Sequence, residues 1–348
     1  MSEGDEERVR GPSQRPRADR RASSKTSARL VYDRPMPAPV RVGTCSWADE
    51  SLVKWWYPRG VRTSEERLRH YAERFDTVEL DSTYYRLPEA ETVAKWVERT
   101  PSGFVFHVKA FALMTRHPVK LEQLPEDLQP GAPTDERGRV ERPSRELRGE
   151  VFGRFHEALS PFREAGKLGG ILLQFPSYVV PKPASFDYLE WAKEQLRGDE
   201  MLVEFRHRSW LDEENRDRTL GFLEELGATH VVVDAPKTEA RNLVPTVLAL
   251  TSPTLYVRFH GRNASTWNIR GRSAAERFDY LYPDEELREW VGPIRELAEE
   301  ARQAYAMFNN NGRSPAPPGV GERDWIAQAP VNAQTFKVML AEAGVPVG

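Results

Sequence analysis

Asp76-Thr-Val-Glu-Leu-Asp-Ser-Thr-Tyr-Tyr-Arg-Leu-Pro88 decides how this chain is read, because its alternation sets Val78 and Leu80 on one face and Glu79 and Asp81 on the other. That is a strand whose polar face carries two acids. Burying acids costs free energy unless they are paired, metal-bound or part of a site. The pattern returns in His107 and Lys109, in Glu204 and Arg206, and in Arg258 and His260, each pair two residues apart at the end of an apolar run. Four strands ending in inward polar pairs predict one shared pocket.

Strand-like and helix-like runs alternate on either side of this stretch. The sequence predicts strands at Arg41 to Ser46, Thr77 to Asp81, Phe104 to Lys109, Leu168 to Phe175, Met201 to Arg206, Thr229 to Asp234, Leu255 to His260 and Tyr305 to Asn310. Helical spacing of Leu68, Tyr71, Ala72 and Phe75 predicts a helix from Ser64, whose hydroxyl can cap it. Further helices are expected at about 89–99, 150–165, 185–196, 215–226, 284–303 and 332–343, with a short one at Pro245 to Leu250. Eight strands interleaved with helices imply parallel pairing and an α/β fold, a closed (β/α)8 TIM-type barrel. An open doubly wound sheet fits less well, since no glycine fingerprint follows the first strand and no phosphate-loop spacing occurs.

The chain has 348 residues, 39% of them hydrophobic, and no apolar run of membrane-spanning length. Nothing at the N-terminus combines a charged start, an apolar segment and a cleavage site, so a cytoplasmic protein is expected. The single cysteine, Cys45, excludes an intrachain disulfide and a thiolate-rich metal site. The net charge of -3 is uneven: residues 8 to 29 hold eight Arg or Lys against one acid, Asp19. Residues 1–38 are rich in Arg, Ser, Pro and Glu and poor in large apolar side chains, so a disordered basic tail is expected, followed by a single domain over 39–346. Such a tail can hold phosphate backbones or simply solubilise the chain. Two excursions leave the scaffold, a Pro- and charge-rich insertion at about 115–149 and the stretch Arg262 to Pro283; both are expected at the face where barrels do chemistry, as lids or as decorated loops.

The strand ends carry a recognisable set of motifs: Gly43-Thr-Cys-Ser-Trp47, Trp56-Tyr-Pro58, Thr77-Val-Glu-Leu-Asp-Ser-Thr-Tyr-Tyr-Arg-Leu-Pro88, Phe104-Val-Phe-His-Val-Lys-Ala110, Leu173-Gln-Phe-Pro176, Val203-Glu-Phe-Arg-His-Arg-Ser-Trp210, Val257-Arg-Phe-His-Gly261 and Phe308-Asn-Asn310. In this order, over about residues 40 to 343, they resemble the YecE-like family, domain of unknown function 72. The resemblance implies a TIM-type barrel with its shared residues at the strand ends, and it brings no established reaction. The basic tail lies outside the family pattern, and Asn311 to Pro330 is longer than the family's usual link to its final helix.

Active sites of barrels form at the C-terminal ends of the strands, where the candidates are Glu79, Asp81, Lys109, Gln174, Glu204, Arg206, Asp234, Arg258, His260 and Asn310. Crowding of two like charges on one strand would raise the pKa of one carboxyl, as a general acid needs. Glu79 or Asp81 is therefore expected to activate water, Glu204 to orient or neutralise a cation, and His260 to donate a proton to a leaving group, while Lys109, Arg206 and Arg258 hold an anion. Asn310, Tyr84 and Trp210 complete the expected substrate-binding set, with Trp47 and Trp267 as further aromatics near the mouth. The opposing possibility is a satisfied polar layer, in which each acid pairs with an arginine across the barrel. A divalent metal is possible on Glu79, Asp81, Glu204, Asp234 and His260 but is disfavoured by three nearby cations. Two carboxylates such as Glu79 and Glu204 would also suit glycoside hydrolysis, yet a cationic pocket suits phosphate esters better than neutral sugars. The expectation is thus hydrolysis of an anionic, phosphorylated or nucleic-acid-derived substrate; the alternative is a non-catalytic nucleotide or nucleic-acid binder using the same pocket.

Overall fold

The stretch Thr77–Leu80 is a strand with Val78 and Leu80 turned to the surrounding helices and Glu79 turned inward, as its alternation requires. In the computed structural model, which describes residues 37–267, 277–317 and 323–348, it is the second of eight parallel strands: β1 (Val40–Thr44), β2 (Thr77–Leu80), β3 (Val105–Lys109), β4 (Leu168–Gln174), β5 (Met201–Glu204), β6 (Thr229–Asp234), β7 (Thr254–Phe259) and β8 (Gln303–Phe308). Each pairs with its neighbours in chain order, and β8 closes on β1. The expected tail lies outside the described residues except for its last two; Ala38 is already packed and donates its N–H to Ala298 O at 3.2 Å. Residues 37–348 form one compact unit.

Two apolar layers follow from the period of two. Val42, Val78, Phe106, Val108, Ile171, Val203, Val232, Val257 and Phe308 face outward into the main core beneath the helices. Leu172, Leu202, Val231, Val233, Tyr256, Tyr305 and Met307 fill the barrel interior. The contact between β1 and β2 is close enough that a side chain on Gly43 would meet Thr77 O at 2.4 Å, so only glycine fits there.

The helices Ser64–Ala72, Ala90–Glu98, Pro183–Gln195, Arg216–Leu226, Asp284–Glu300 and Gln328–Glu342 stand within a few residues of their expected positions. Thr63, not Ser64, caps the first of them, in a reciprocal pair with Glu66. Three differences have local causes. Asp49 caps an unexpected short helix, Glu50–Trp55, too brief to show periodicity. Ser144 caps Arg145–Ala158, which therefore starts earlier than expected, and a second helix, Ser160–Glu164, begins with Pro161 near its start. Pro245 to Leu250 forms no helix; the segment runs irregularly, with Thr246 Oγ1 donating to Val233 O at 2.9 Å. No helix among the described residues is long and apolar enough to cross a membrane.

Candidate functional site

The inward polar residues of β2, β5 and β7 meet in one network. Arg258 Nη2 donates to Glu79 Oε1 at 2.6 Å, and Arg258 Nη1 donates to Glu204 Oε2. Tyr256, two residues earlier on the same face, donates its hydroxyl to Glu79 Oε2 at 2.9 Å. Glu204 also receives Arg206 Nε at 2.6 Å and Gln174 Nε2 at 3.0 Å. The same oxygen of Glu204, Oε1, also meets His260 Nε2 at 3.2 Å, and Asn309 Nδ2 faces His260 Nδ1 at 2.9 Å. Glu79, Glu204, Arg258 and His260 are all fully buried.

This arrangement sets the charge states. Burial opposes ionisation of Glu204, but Arg206 and Arg258 hold its carboxyl well below the usual range. Burial likewise opposes the charge on Arg258, and the two glutamates overcome it. His260 is pushed down to about 3, by burial first and then by Arg206. An imidazole with that value is neutral at ordinary pH and has no extra proton to give a leaving group, which corrects the role expected from its position. Arg258 is not an anion grip either, because both terminal nitrogens are spent on glutamates. The buried thiol of Cys45 stands 3.6 Å from Arg258 Nη2, and burial raises it well above its usual value. Such a thiol is a poor nucleophile.

The groups left accessible at the mouth are Asp81, Lys109, Gln174, Arg206 and Tyr84. Asp81 follows the end of β2 and is raised to about 6, by burial first, with Lys109 pulling it down and Glu79 pushing it up. Lys109 ends β3 with its ammonium 4.6 Å from the centre of the Tyr84 ring. Among the described residues it has no carboxylate at ion-pair distance, and burial together with Arg258 lowers its pKa. Arg206 is braced by Glu204 and lies over Trp267 and Phe278, at 5.6 Å and 5.9 Å. The mouth thus has two cations and a carboxyl that titrates near neutrality, over a floor whose two glutamates are neutralised by arginines.

Three expected site residues lie elsewhere. Trp210 is fully buried, stacked on Phe205 at 4.0 Å, with its Nε1–H given to Val179 O at 2.7 Å. It is packing, not a substrate platform. Asn310 points away from the interior and ties the strand-eight loop, donating to Tyr280 O and Asn332 Oδ1, both at 2.8 Å. The inward asparagine is Asn309, as the parity of Tyr305 and Met307 requires. Asp234 shares the outward parity of Val232 and is held by Arg262 at 3.1 and 3.0 Å. With Glu79, Glu204 and Asp234 each bound to a guanidinium, these carboxylates do not suit a divalent cation.

Part of the Arg262–Pro283 excursion, residues 268–276, and part of the link after β8, residues 318–322, lie outside the described residues. Residues the sequence reading passed over include Tyr256, Asn309 and His117, which meets Tyr84 edge-on at 5.3 Å. The first two were accessible to a count of two along their strands.

Known proteins share the sequence and the fold of this chain. A family model described as "Protein of unknown function DUF72" matches residues 41–344. UPF0759 protein YunF of Bacillus subtilis is 33% identical over 276 residues, covering 78% of this chain and 89% of YunF. UPF0759 protein YecE of Escherichia coli is 26% identical over 235 residues, covering 62% of this chain and 75% of YecE. Among solved structures, a DUF72 family protein from Thermotoga maritima is 30% identical with a TM-score of 0.66, covering 87% of this chain and 99% of its own. Another, from Enterococcus faecalis, is 26% identical with a TM-score of 0.67, covering 87% and 95%.

Proposed function

We propose, for a chain that belongs to the DUF72 family of proteins of unknown function, that the barrel mouth hydrolyses a small anionic ester, with a phosphate ester as the best fit. The observation that carries this reading is the ammonium of Lys109, which no carboxylate neutralises at ion-pair distance among the described residues, beside Asp81, whose carboxyl is raised to about 6. An unpaired cation in a partly buried mouth favours an anion. A carboxyl with that value takes up and releases protons near neutral pH.

In this reading Lys109 and Arg206 hold the anion and Tyr84 lines the approach. Asp81 takes a proton from water as the water oxygen attacks phosphorus. The ester P–O bond breaks, and Lys109, its pKa lowered by burial and by Arg258, gives the departing oxygen a proton. Glu79, Glu204, Arg258 and His260 stay below as the floor that fixes Arg206. The charge held between Glu204 and two arginines keeps that floor rigid without touching substrate.

The test is a screen of the full chain against a panel of phosphate esters, followed by release of inorganic phosphate. The reading expects turnover that falls by at least a hundredfold in Asp81→Asn while the ester still binds. Equal turnover in Asp81→Asn, or binding with no turnover by the wild type, contradicts hydrolysis at this site. The latter result would favour the non-catalytic binder.

A further inference from the structure

The 115–149 insertion, which the sequence suggested as a lid, is one wall of a cavity of about 680 Å3 that continues under the loop after β4. That size falls within the range of about 300–1,000 Å3 common for small-molecule sites. Five Arg and Lys line it against two acids, and each acid is already held: Asp135 by Arg139 at 2.6 Å, Glu141 by Arg142 at 3.6 Å. Arg116, Arg148 and Lys182 are the remaining cations. Among the described residues none of the three has a carboxylate at ion-pair distance.

Arg116 and Arg148 share one aromatic ring, and each feels the other's charge, Arg116 helping to lower the pKa of Arg148 after burial. Their guanidinium carbons lie 5.1 Å and 5.4 Å from the centre of Tyr188, whose hydroxyl is fixed by Met114 O at 2.7 Å. Arg116 has a left-handed backbone, φ 68°, and its carbonyl accepts the Tyr178 hydroxyl at 2.6 Å. Holding like charges together costs free energy that a bound anion would return.

The opposite wall is the start of the 13-residue helix Pro183–Gln195, which no side chain caps. Its third residue, Ser185, lines the cavity; it is 2% exposed, and its hydroxyl has no hydrogen-bond partner. Arg148 Nε is likewise buried without a partner. Pro183 has no N–H, and those of Ser185 and Phe186 already go to Lys182 O, so this helix start contributes the positive end of its dipole, which favours an oxyanion beside the Ser185 hydroxyl. The aromatic face of Tyr178, 59% exposed at the rim, offers apolar surface to whatever carries the anion.

We propose that this cavity binds the phosphate of a small phosphomonoester, gripped by Arg116, Arg148 and Lys182 and by the Ser185 hydroxyl at the helix start. A dianion suits three unpaired cations better than the single charge of a diester. The cavity adjoins the barrel mouth through His117, which lines it and meets Tyr84 at 5.3 Å, but its three unpaired cations belong to the insertion and the β4 loop, and it holds its ligand whether or not Asp81 performs hydrolysis.

The experiment is calorimetric titration of the full chain carrying Lys109→Met, which disables the mouth, with phenyl phosphate and with inorganic phosphate. Binding is expected to persist in that background and to weaken at least tenfold when Arg148→Ala and Lys182→Ala are added. Ser185→Ala, which deletes only an unpartnered hydroxyl, is expected to weaken binding several-fold at an unchanged melting temperature, and it decides the matter if the double change fails to fold. If Lys109→Met alone abolishes binding, the phosphate sits only at the mouth; this inference falls while the mouth reading stands. If binding survives Ser185→Ala and the double change undiminished, the cavity is not the site. Displacement of phenyl phosphate by an oligothymidylate without terminal phosphate, at equal phosphate concentration and with equal affinity, would overturn the monoester assignment.

Discussion

Arg258 on β7 reaches across the barrel to Glu79 on β2, with Nη2 2.6 Å from Oε1 and neither side chain accessible to solvent. The same guanidinium donates to Glu204. One arginine therefore neutralises two buried carboxylates, and Arg206 supplies the balancing charge from above.

Removing that arginine leaves two buried carboxylates short of a partner. Arg258→Met is expected to destabilise the fold by about 3–5 kcal/mol, the usual cost of breaking a buried pair from one side. Urea unfolding of the full chain checks this. A loss under about 1 kcal/mol would mean that the floor is not held by charge.

Asp81 behaves oppositely because its charge is held against burial. Asp81→Asn removes that cost above pH 6 and is expected to stabilise the protein at pH 8 by on the order of 1–2 kcal/mol while abolishing turnover. Thermal melts at pH 8 read the first effect. A variant that is both inactive and less stable would assign Asp81 a structural role.

Lys109 is the cation whose charge lowers Asp81. Lys109→Met is therefore expected to move the Asp81 titration upward from about 6 and to remove anion binding at the mouth. The pH dependence of turnover, or a carboxyl-carbon titration, reads the shift. No movement would mean that the two groups do not sense one another.

All seven histidines lie below the ordinary value of 6.5, His107 and His260 at about 3 and His117 and His230 at about 4, in each case by burial first. The unfolded chain takes up protons that the folded chain refuses, so their contribution is fully present above pH 6.5 and is lost as pH falls toward the folded values. Asp81, raised to about 6, works the other way, contributing below 3.8 and losing that as pH rises through about 6; Asp49, Asp76 and Asp234 share its direction. Between pH 7.5 and 5.5 the histidines take up protons in the unfolded chain while folded Asp81 takes one up near 6; the four strongly lowered rings outweigh that one carboxyl, so the melting temperature is expected to fall over that range. Each fully buried histidine accounts for up to about 1.4 kcal/mol per pH unit. A rising melting temperature would contradict the neutral buried rings.

The barrel was legible in the sequence because a period of two repeats at eight places, and Val78 with Glu79 is its clearest instance. The same period carried the reading too far at Asn310 and Asp234, where the inward side falls one residue away. Sequence could place Glu79, Glu204, Arg258 and His260 at strand ends but could not show their depth: whether an acid meets an arginine or a ligand depends on distances across the barrel. Trp210 failed for a related reason, since an aromatic next to a polar pair packs as readily against a helix as over a mouth. The cavity of the insertion left no periodic mark. Arg116, Arg148, Lys182 and Ser185 come from three separate segments and converge only through Tyr188 and the helix start.

The most direct measurement of the mouth is a carbon-13 titration of the Asp81 carboxyl with and without a phosphate ester. The account predicts a midpoint near 6, well above the ordinary 3.8, that rises further when an anion binds and neutralises Lys109. A midpoint near 3.8 that ignores the ester would contradict it, and with it the assignment of the barrel mouth as the place where an anion is bound and hydrolysed.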